Sequence, residues 1–285
     1  MSNCINDVSE YIKNKGYNVF SVAVFEDGYD EPQSAILQPS NPCQNAYSVA
    51  KVFTMTAIGM LYDRKLLSLN SRAVDLLGEE CPEKLHEYWK SVTLEMLLMH
   101  RAGLEGGCLD IDCLDSREFG EDYLDYLMHL PFKYKPGTDE YYSDGAYYLL
   151  ARTVEHITKE NLTSFLWHEL FYKLGFTEIA WSCCPKGHAM GATGLYIKAH
   201  DMVKLGKVYL DKGLYNGQRI VSEEWVNIAL SKPFELSETG IGNVYGKGGM
   251  HCQKLFVDPD KKRAVALLGY DNTDIEDIIR FISDY

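Results

Sequence analysis

The stretch Ala46-Tyr-Ser48-Val-Ala-Lys51-Val-Phe-Thr-Met55 decides how this chain is read. It sets a serine and a lysine three residues apart at the head of an apolar run, Thr56-Ala-Ile-Gly-Met-Leu61, that predicts a buried helix. At 3.6 residues per turn, that spacing puts both side chains on one helical face. A serine hydroxyl is a poor nucleophile until a neighbour takes its proton. A lysine one turn away is able to do so if burial or nearby charge lowers its pKa from about 10.4. The start of a helix also presents unpaired amides to a developing oxyanion. The spacing alone equally fits a serine that caps a core helix beside a lysine that extends to solvent. Ser48 and Lys51 form the sole Ser-x-x-Lys of the sequence.

Working outward, the preceding segments Tyr17 to Glu26 and Ser34 to Gln38 are rich in β-branched and aromatic residues and predict two strands joined by a polar loop. Before them, Ile5, Val8, Tyr11 and Ile12 share one face of a helix expected over Asn3 to Asn14. From Leu66 to about Gly213 the pattern is mostly helical. Helices are expected over Val92–Met99, Asp122–Leu130, Asn161–Leu174 and Ala199–Leu210, with residues 106–120 irregular. Tyr142-Ser-Asp144 is a polar triplet just ahead of an apolar helix. Tyr142 and Asp144 share a face if the segment is extended, whereas Ser143 or Asp144 is also an ordinary helix cap. Tyr215 to Val221 reads as a tight turn before a helix capped by Ser222. Near the end, a glycine-rich strand bearing Lys247, Gly249 and Met250 precedes two more strands and a final helix over Ile275–Ile282. Glycines there suit either close approach of another backbone or a bulge at a sheet edge.

Composition narrows the class. The chain has 285 residues, 46% of them hydrophobic, enough for one large core or two modest ones. A net charge of -13 argues against nucleic acid or an anionic membrane as partner. No run of about 18 apolar residues is present to span a bilayer. The N-terminal residues lack the basic and apolar blocks of a signal peptide, so a cytoplasmic protein is expected. The eight cysteines contain no Cys-x-x-Cys and read as reduced thiols. A metal role for Cys108 and Cys113 with a distant histidine is the competing reading.

Taken in order, Ser48-Val-Ala-Lys51, Tyr142-Ser-Asp144 and Lys247-Gly-Gly249 resemble the Ser-x-x-Lys, Tyr-x-Asn and Lys/His-x-Gly motifs of the serine β-lactamase and penicillin-binding protein superfamily, in its class C and esterase-like branch. His100-Arg-Ala-Gly-Leu104 and the segment Gly191 to Val226 resemble linking sequences of the same branch, and the likeness covers roughly residues 15 to 285. It departs where Asp144 replaces the usual Asn, and it lacks the Ser-Asp-Asn triplet of class A.

The resemblance implies an α/β (α+β) fold: an antiparallel sheet of about five strands flanked by N- and C-terminal helices, with a mostly helical subdomain. It implies a single catalytic unit whose α/β part is 1–62 and 214–285 and whose helical part is 63–213. It also implies a serine hydrolase in which Ser48 attacks, Lys51 and Tyr142 share the proton, and the Ser48 and Met250 amides hold the oxyanion. Lys247 would hold a substrate carboxylate or tune Tyr142, with Asp144 and Gly249 in support. No cofactor or metal is implied, and the expected partner is a small-molecule or peptide substrate of a monomer. A penicillin sensor or pseudoenzyme that acylates without turnover is the alternative. His100, Tyr141, His188, Tyr196 and His251 are plausible pocket liners.

Overall fold

The β-branched run Val19–Glu26 forms β1, a central strand paired antiparallel on both sides, with β2 (Gln33–Ile36) on one edge and β6 (Arg263–Gly269) on the other. The computed structural model describes residues 4–272 and 276–284. Asn3 and Ile275, where the first and last helices were expected to begin, lie outside them. Beyond β6 come β5 (Gln253–Asp258), β4 (Tyr245–Gly249) and the two-residue β3 (Ser237–Glu238), giving a six-stranded antiparallel sheet in the order β2-β1-β6-β5-β4-β3. The expected sheet of about five strands gains this short sixth edge.

The period-two alternation of β1 sorts its side chains to two faces. On one face Val22, Val24, Val265, Leu267 and Phe256 pack with Ile5, Val8 and Ile12 of α1 (Cys4–Lys15) and with Ile278, Ile279 and Ile282 of the C-terminal helix, Glu276–Asp284. Each such aliphatic side chain taken fully out of water contributes roughly 1.5–3 kcal/mol. The other face is covered by the helix Ala199–Leu210, whose Gly206 lies so close that an added Cβ would stand 2.9 Å from the Ala264 Cβ. That helix was expected in the helical part, 63–213. It packs on the sheet because Met202, Val203, Leu205 and Val208 bury one stripe against it.

Two compact units result. The first comprises residues 1–52, 169–180 and 195–285, and the second 53–168 and 181–194. The second is built mostly of helices and turns, with two isolated β-bridges, Arg72–Thr93 and Cys183–Ala189. Its longest helix, Asp144–Thr158, is buried from Asp144 through Glu155. There Arg152 is ion-paired with Glu80 and Glu155, and Glu155 also meets His188 at 2.7 Å. Gly191 fits where nothing larger does. Its φ is +68°, and a Cβ would meet both the Ala151 Cβ and the Tyr147 carbonyl at 2.7 Å.

Local signals behaved as their chemistry requires. Asn216 and Gly217, with φ of 48° and 76°, close the two-residue hairpin Leu214–Arg219. Ser222 accepts the Trp225 amide at 2.9 Å to cap Glu223–Ser231. The single helix expected over Asn161–Leu174 is α-helical only for Leu162–Leu166. It widens to a π turn at Trp167–Phe171, and the chain leaves at Gly175 with φ of +69°.

Candidate active site

In the first unit the chain enters the site through a tight turn, Tyr47–Val49, that leads into α2 (Ala50–Asp63). Tyr47 adopts φ of +47°, an uncommon conformation for a residue with a side chain. The turn is held from outside: the Ala46 amide donates to the Leu195 carbonyl at 2.8 Å, and the Tyr47 amide donates to the Asn45 side chain at 2.9 Å. Ser48 therefore sits in the turn ahead of the α-helix. Lys51, fully buried in the first turn of α2, donates from Nζ to Ser48 Oγ at 3.2 Å. The serine-lysine pair read from the spacing is formed.

Strand β4 packs against this turn. A Cβ on Gly249 would lie 2.5 Å from the Ala46 carbonyl oxygen and 3.1 Å from the Tyr47 Cβ, so the strand lies flush with the turn only because residue 249 is glycine. Met250 follows, 38% exposed, and the backbone then takes two left-handed residues, His251 (φ 55°) and Cys252 (φ 77°). The His251 ring stacks on Tyr270 at 4.1 Å, meets the edge of Tyr47 at 5.3 Å and contacts Asn272 through Nδ1 at 3.0 Å. Gly249, Met250 and His251 line a cleft of about 370 Å³ with Lys254, Asp271 and Asn272. His251 thus lines the cleft, as expected, and also holds the two turns beside one another.

Lys247 makes a buried ion pair with the Glu235 carboxylate. Sequence reading missed Glu235 because Lys232-Pro-Phe-Glu-Leu236 carries no motif. The residue comes into reach through β3, whose Ser237 pairs with Gly246.

Tyr142 and Asp144 belong to the second unit. Of the two readings of this triplet, an extended pair and an ordinary helix cap, the cap is the one formed. Ser143 accepts the Ala146 amide at 3.3 Å as the cap, so Asp144 is already the first helical residue. Asp144 is buried while Tyr142 is 44% exposed. Tyr142 lies over the ring of His100, 4.4 Å between centroids, and the Ser143 amide donates to His100 Nδ1 at 3.2 Å. His100 is buried and holds this loop in place. Tyr141 stacks on Tyr134 at 3.9 Å, His188 pairs with Glu155, and Tyr196 is exposed. A carboxylate at a helix N-terminus is favoured by the peptide dipoles, and Asp144 is grouped there with Asp110 and Asp112, their nearest oxygens within 4.8 Å of one another.

All eight cysteines are free thiols. Burial pushes the Cys108 thiol up to about 11, away from the thiolate that binds metal, and Cys113 is exposed on the surface.

Comparison with known proteins completes the picture of this site. The family model described as Beta-lactamase matches residues 43–277, a span that runs from just before the Ser48 turn to the C-terminal helix.

The chain belongs to the beta-lactamase family.

Membership makes it a serine hydrolase of β-lactamase type. Penicillin-binding protein 4 of Amycolatopsis lactamdurans is 28% identical over 210 residues, 61% of this chain and 53% of the relative. The chain thus spans about half the length of that curated relative. Solved structures share the fold at low identity. A penicillin-binding protein from Bacillus halodurans superposes with a TM-score of 0.74 at 18% identity, covering 98% of this chain and 99% of the other. A family VIII carboxylesterase gives 0.74 at 15% identity over 99% and 96%. A candidate 6-aminohexanoate-dimer hydrolase from Bacillus anthracis gives 0.79 at 18% over 96% and 79%. Among the described residues, no helix is long and apolar enough to cross a membrane.

Proposed function

We propose that this member of the beta-lactamase family is a serine hydrolase that works through an acyl-enzyme on Ser48, opening an ester, amide or lactam carbonyl of a small molecule or peptide. The carrying observation is the 3.2 Å contact between Ser48 Oγ and the fully buried Lys51 Nζ. A lysine taken out of water gives up its proton more readily, and its neutral amine is then a base within reach of the hydroxyl. Ser48 Oγ bonds to the carbonyl carbon and its proton passes to Lys51. The returning proton leaves with the alcohol or amine. Water then cleaves the ester, restoring the serine. The amides of Ser48 and Met250 are the proposed oxyanion donors, and the packing of β4 on the Ser48 turn at Gly249 supports that pairing. Tyr142 enters as a second proton carrier, with Asp144 in support, on the order of the motifs in the chain. The eight free thiols support a reducing compartment such as the cytoplasm.

Intact-mass analysis after treatment with a fluorophosphonate or a penicillin tests the reading. One covalent adduct is expected, absent from Ser48→Ala, and an adduct that persists in that variant overturns it. The name of the Amycolatopsis lactamdurans relative supports a second reading, slow acylation without turnover. A burst that stops at one equivalent with every ester and lactam tried selects it.

A further inference from the structure

We infer that Glu235, by holding Lys247 in a buried ion pair, steers the site toward acyl donors that are uncharged beside the scissile bond, so that neutral esters and amides are preferred over substrates bearing a carboxylate there. This rests on the hydrolase reading above and specifies its substrate class.

The pair is well withdrawn from solvent, with side-chain exposures of 13% for Lys247 and 3% for Glu235. Glu235 is fixed between Phe234 and Leu236, both buried, so its carboxylate has little freedom to retreat. An incoming carboxylate that docked on Lys247 would have to share one ammonium with a carboxylate already there. Two like charges around one cation in a poorly hydrated place is a costly arrangement, and pulling the lysine away would strand a buried carboxylate. A neutral substrate raises neither cost.

The lysine of the adjoining strand, Lys254, does not share the face of Lys247. Side chains alternate along β4, so Lys247 and Gly249 point to the face that meets the Ser48 turn and Gly248 points to the opposite one. Lys254 is paired with Gly248 in the register, and its Nζ lies 3.1 Å from where a Gly248 Cβ would be. Its ammonium therefore stands on the face opposite Lys247, where it lines the cleft with Met250 and His251. Lys247 is the cation of β4 on the Ser48 side, and its charge is already matched. Glu235 acts through Lys247 and is a positioning residue, one that sets specificity.

Two p-nitrophenyl esters of equal length test this: the valerate, ending in a methyl, and the glutarate monoester, ending in a carboxylate. The wild-type protein is expected to favour the valerate in kcat/KM by about tenfold, the size of one ordinary unfavourable charge contact. Glu235→Gln, isosteric and uncharged, should raise the glutarate-to-valerate ratio by about tenfold, chiefly through a lower KM for the glutarate monoester. If that variant fails to fold by circular dichroism, Glu235→Asp, which shortens the reach and loosens the pair, should move the ratio in the same direction. A wild-type protein that treats the two esters alike or prefers the glutarate monoester, or a folded Glu235 variant with an unchanged ratio, overturns the inference while leaving the hydrolase reading intact. Absence of turnover on both esters together with no acylation of Ser48 overturns both.

Discussion

Replacing Gly249 with alanine places a methyl carbon 2.5 Å from the Ala46 carbonyl oxygen, where ordinary contact begins at 3.4 Å, with the Tyr47 and Gln253 Cβ atoms each at 3.1 Å. Gly249 has φ of -117°, a conformation any residue adopts, so the whole penalty is steric. The nearest obstacle is backbone, which has no rotamer to change. Either β4 or the Ser48 turn must therefore retreat by about 0.9 Å, at a cost of roughly 1–3 kcal/mol typical of overpacking. For a chain of this size that corresponds to a Tm lowered by roughly 2–10 °C. The retreat falls on Tyr47, the residue before Ser48, and on the residue before Met250. Misplacement of reacting groups by about 1 Å costs on the order of 100-fold in rate, so Gly249→Ala should lose about that factor in kcat/KM on a p-nitrophenyl ester. Gly248→Ala is the control, since its Cβ would meet only the flexible end of Lys254, and it should stay near wild type in both Tm and rate. Thermal melts and steady-state kinetics on the two variants decide the matter. A Gly249→Ala protein that melts lower yet hydrolyses the ester at the wild-type rate refutes the idea that this contact seats the nucleophile.

In the second unit, Gly191→Ala combines a left-handed φ with two contacts at 2.7 Å. It should cost about 3 kcal/mol or more, whereas Gly217→Ala, at φ of +76° with open space around it, should cost about 1 kcal/mol; denaturant titration of both should preserve that order. At the junction of the terminal helices, partial burial pushes the Asp277 carboxyl up, but hydrogen bonds from Tyr17, Lys15 and Tyr11 outweigh it and hold the group below its usual range. A lowered folded-state pKa stabilises above the unfolded value and is lost as pH falls through the folded one. Asp277→Asn should therefore lower stability at pH 7 by about 1 kcal/mol, a figure reduced for its partial exposure. The gap to wild type should close below about pH 4. A constant gap from pH 7 to pH 2 would show that the carboxylate charge is not the source.

The sequence by itself determined what depends on neighbours along the chain. Three residues of helical spacing put Ser48 beside Lys51, a run rich in β-branched and aromatic residues made β1, and Asn216-Gly217 closed a hairpin. In each case the chemistry and the geometry lie within a few residues of one another. The motif order likewise pointed to the family and to an antiparallel sheet flanked by the terminal helices. What the sequence left open is what depends on register and packing between distant segments. Of the two readings open for Tyr142-Ser-Asp144, packing selected the helix cap at Ser143. The helix Ala199–Leu210 joined the sheet because its apolar stripe found a complementary face there. Glu235 acquired its role only when β3 and β4 paired, since a buried charge takes its partner from the fold. Gly249 was marked in the sequence as a place where another backbone could approach or a bulge could form, and the fold decided that the approaching backbone is the Ala46 carbonyl. Tertiary structure decided these because burial and contact are properties of surfaces brought together, and no local propensity encodes which surfaces will meet.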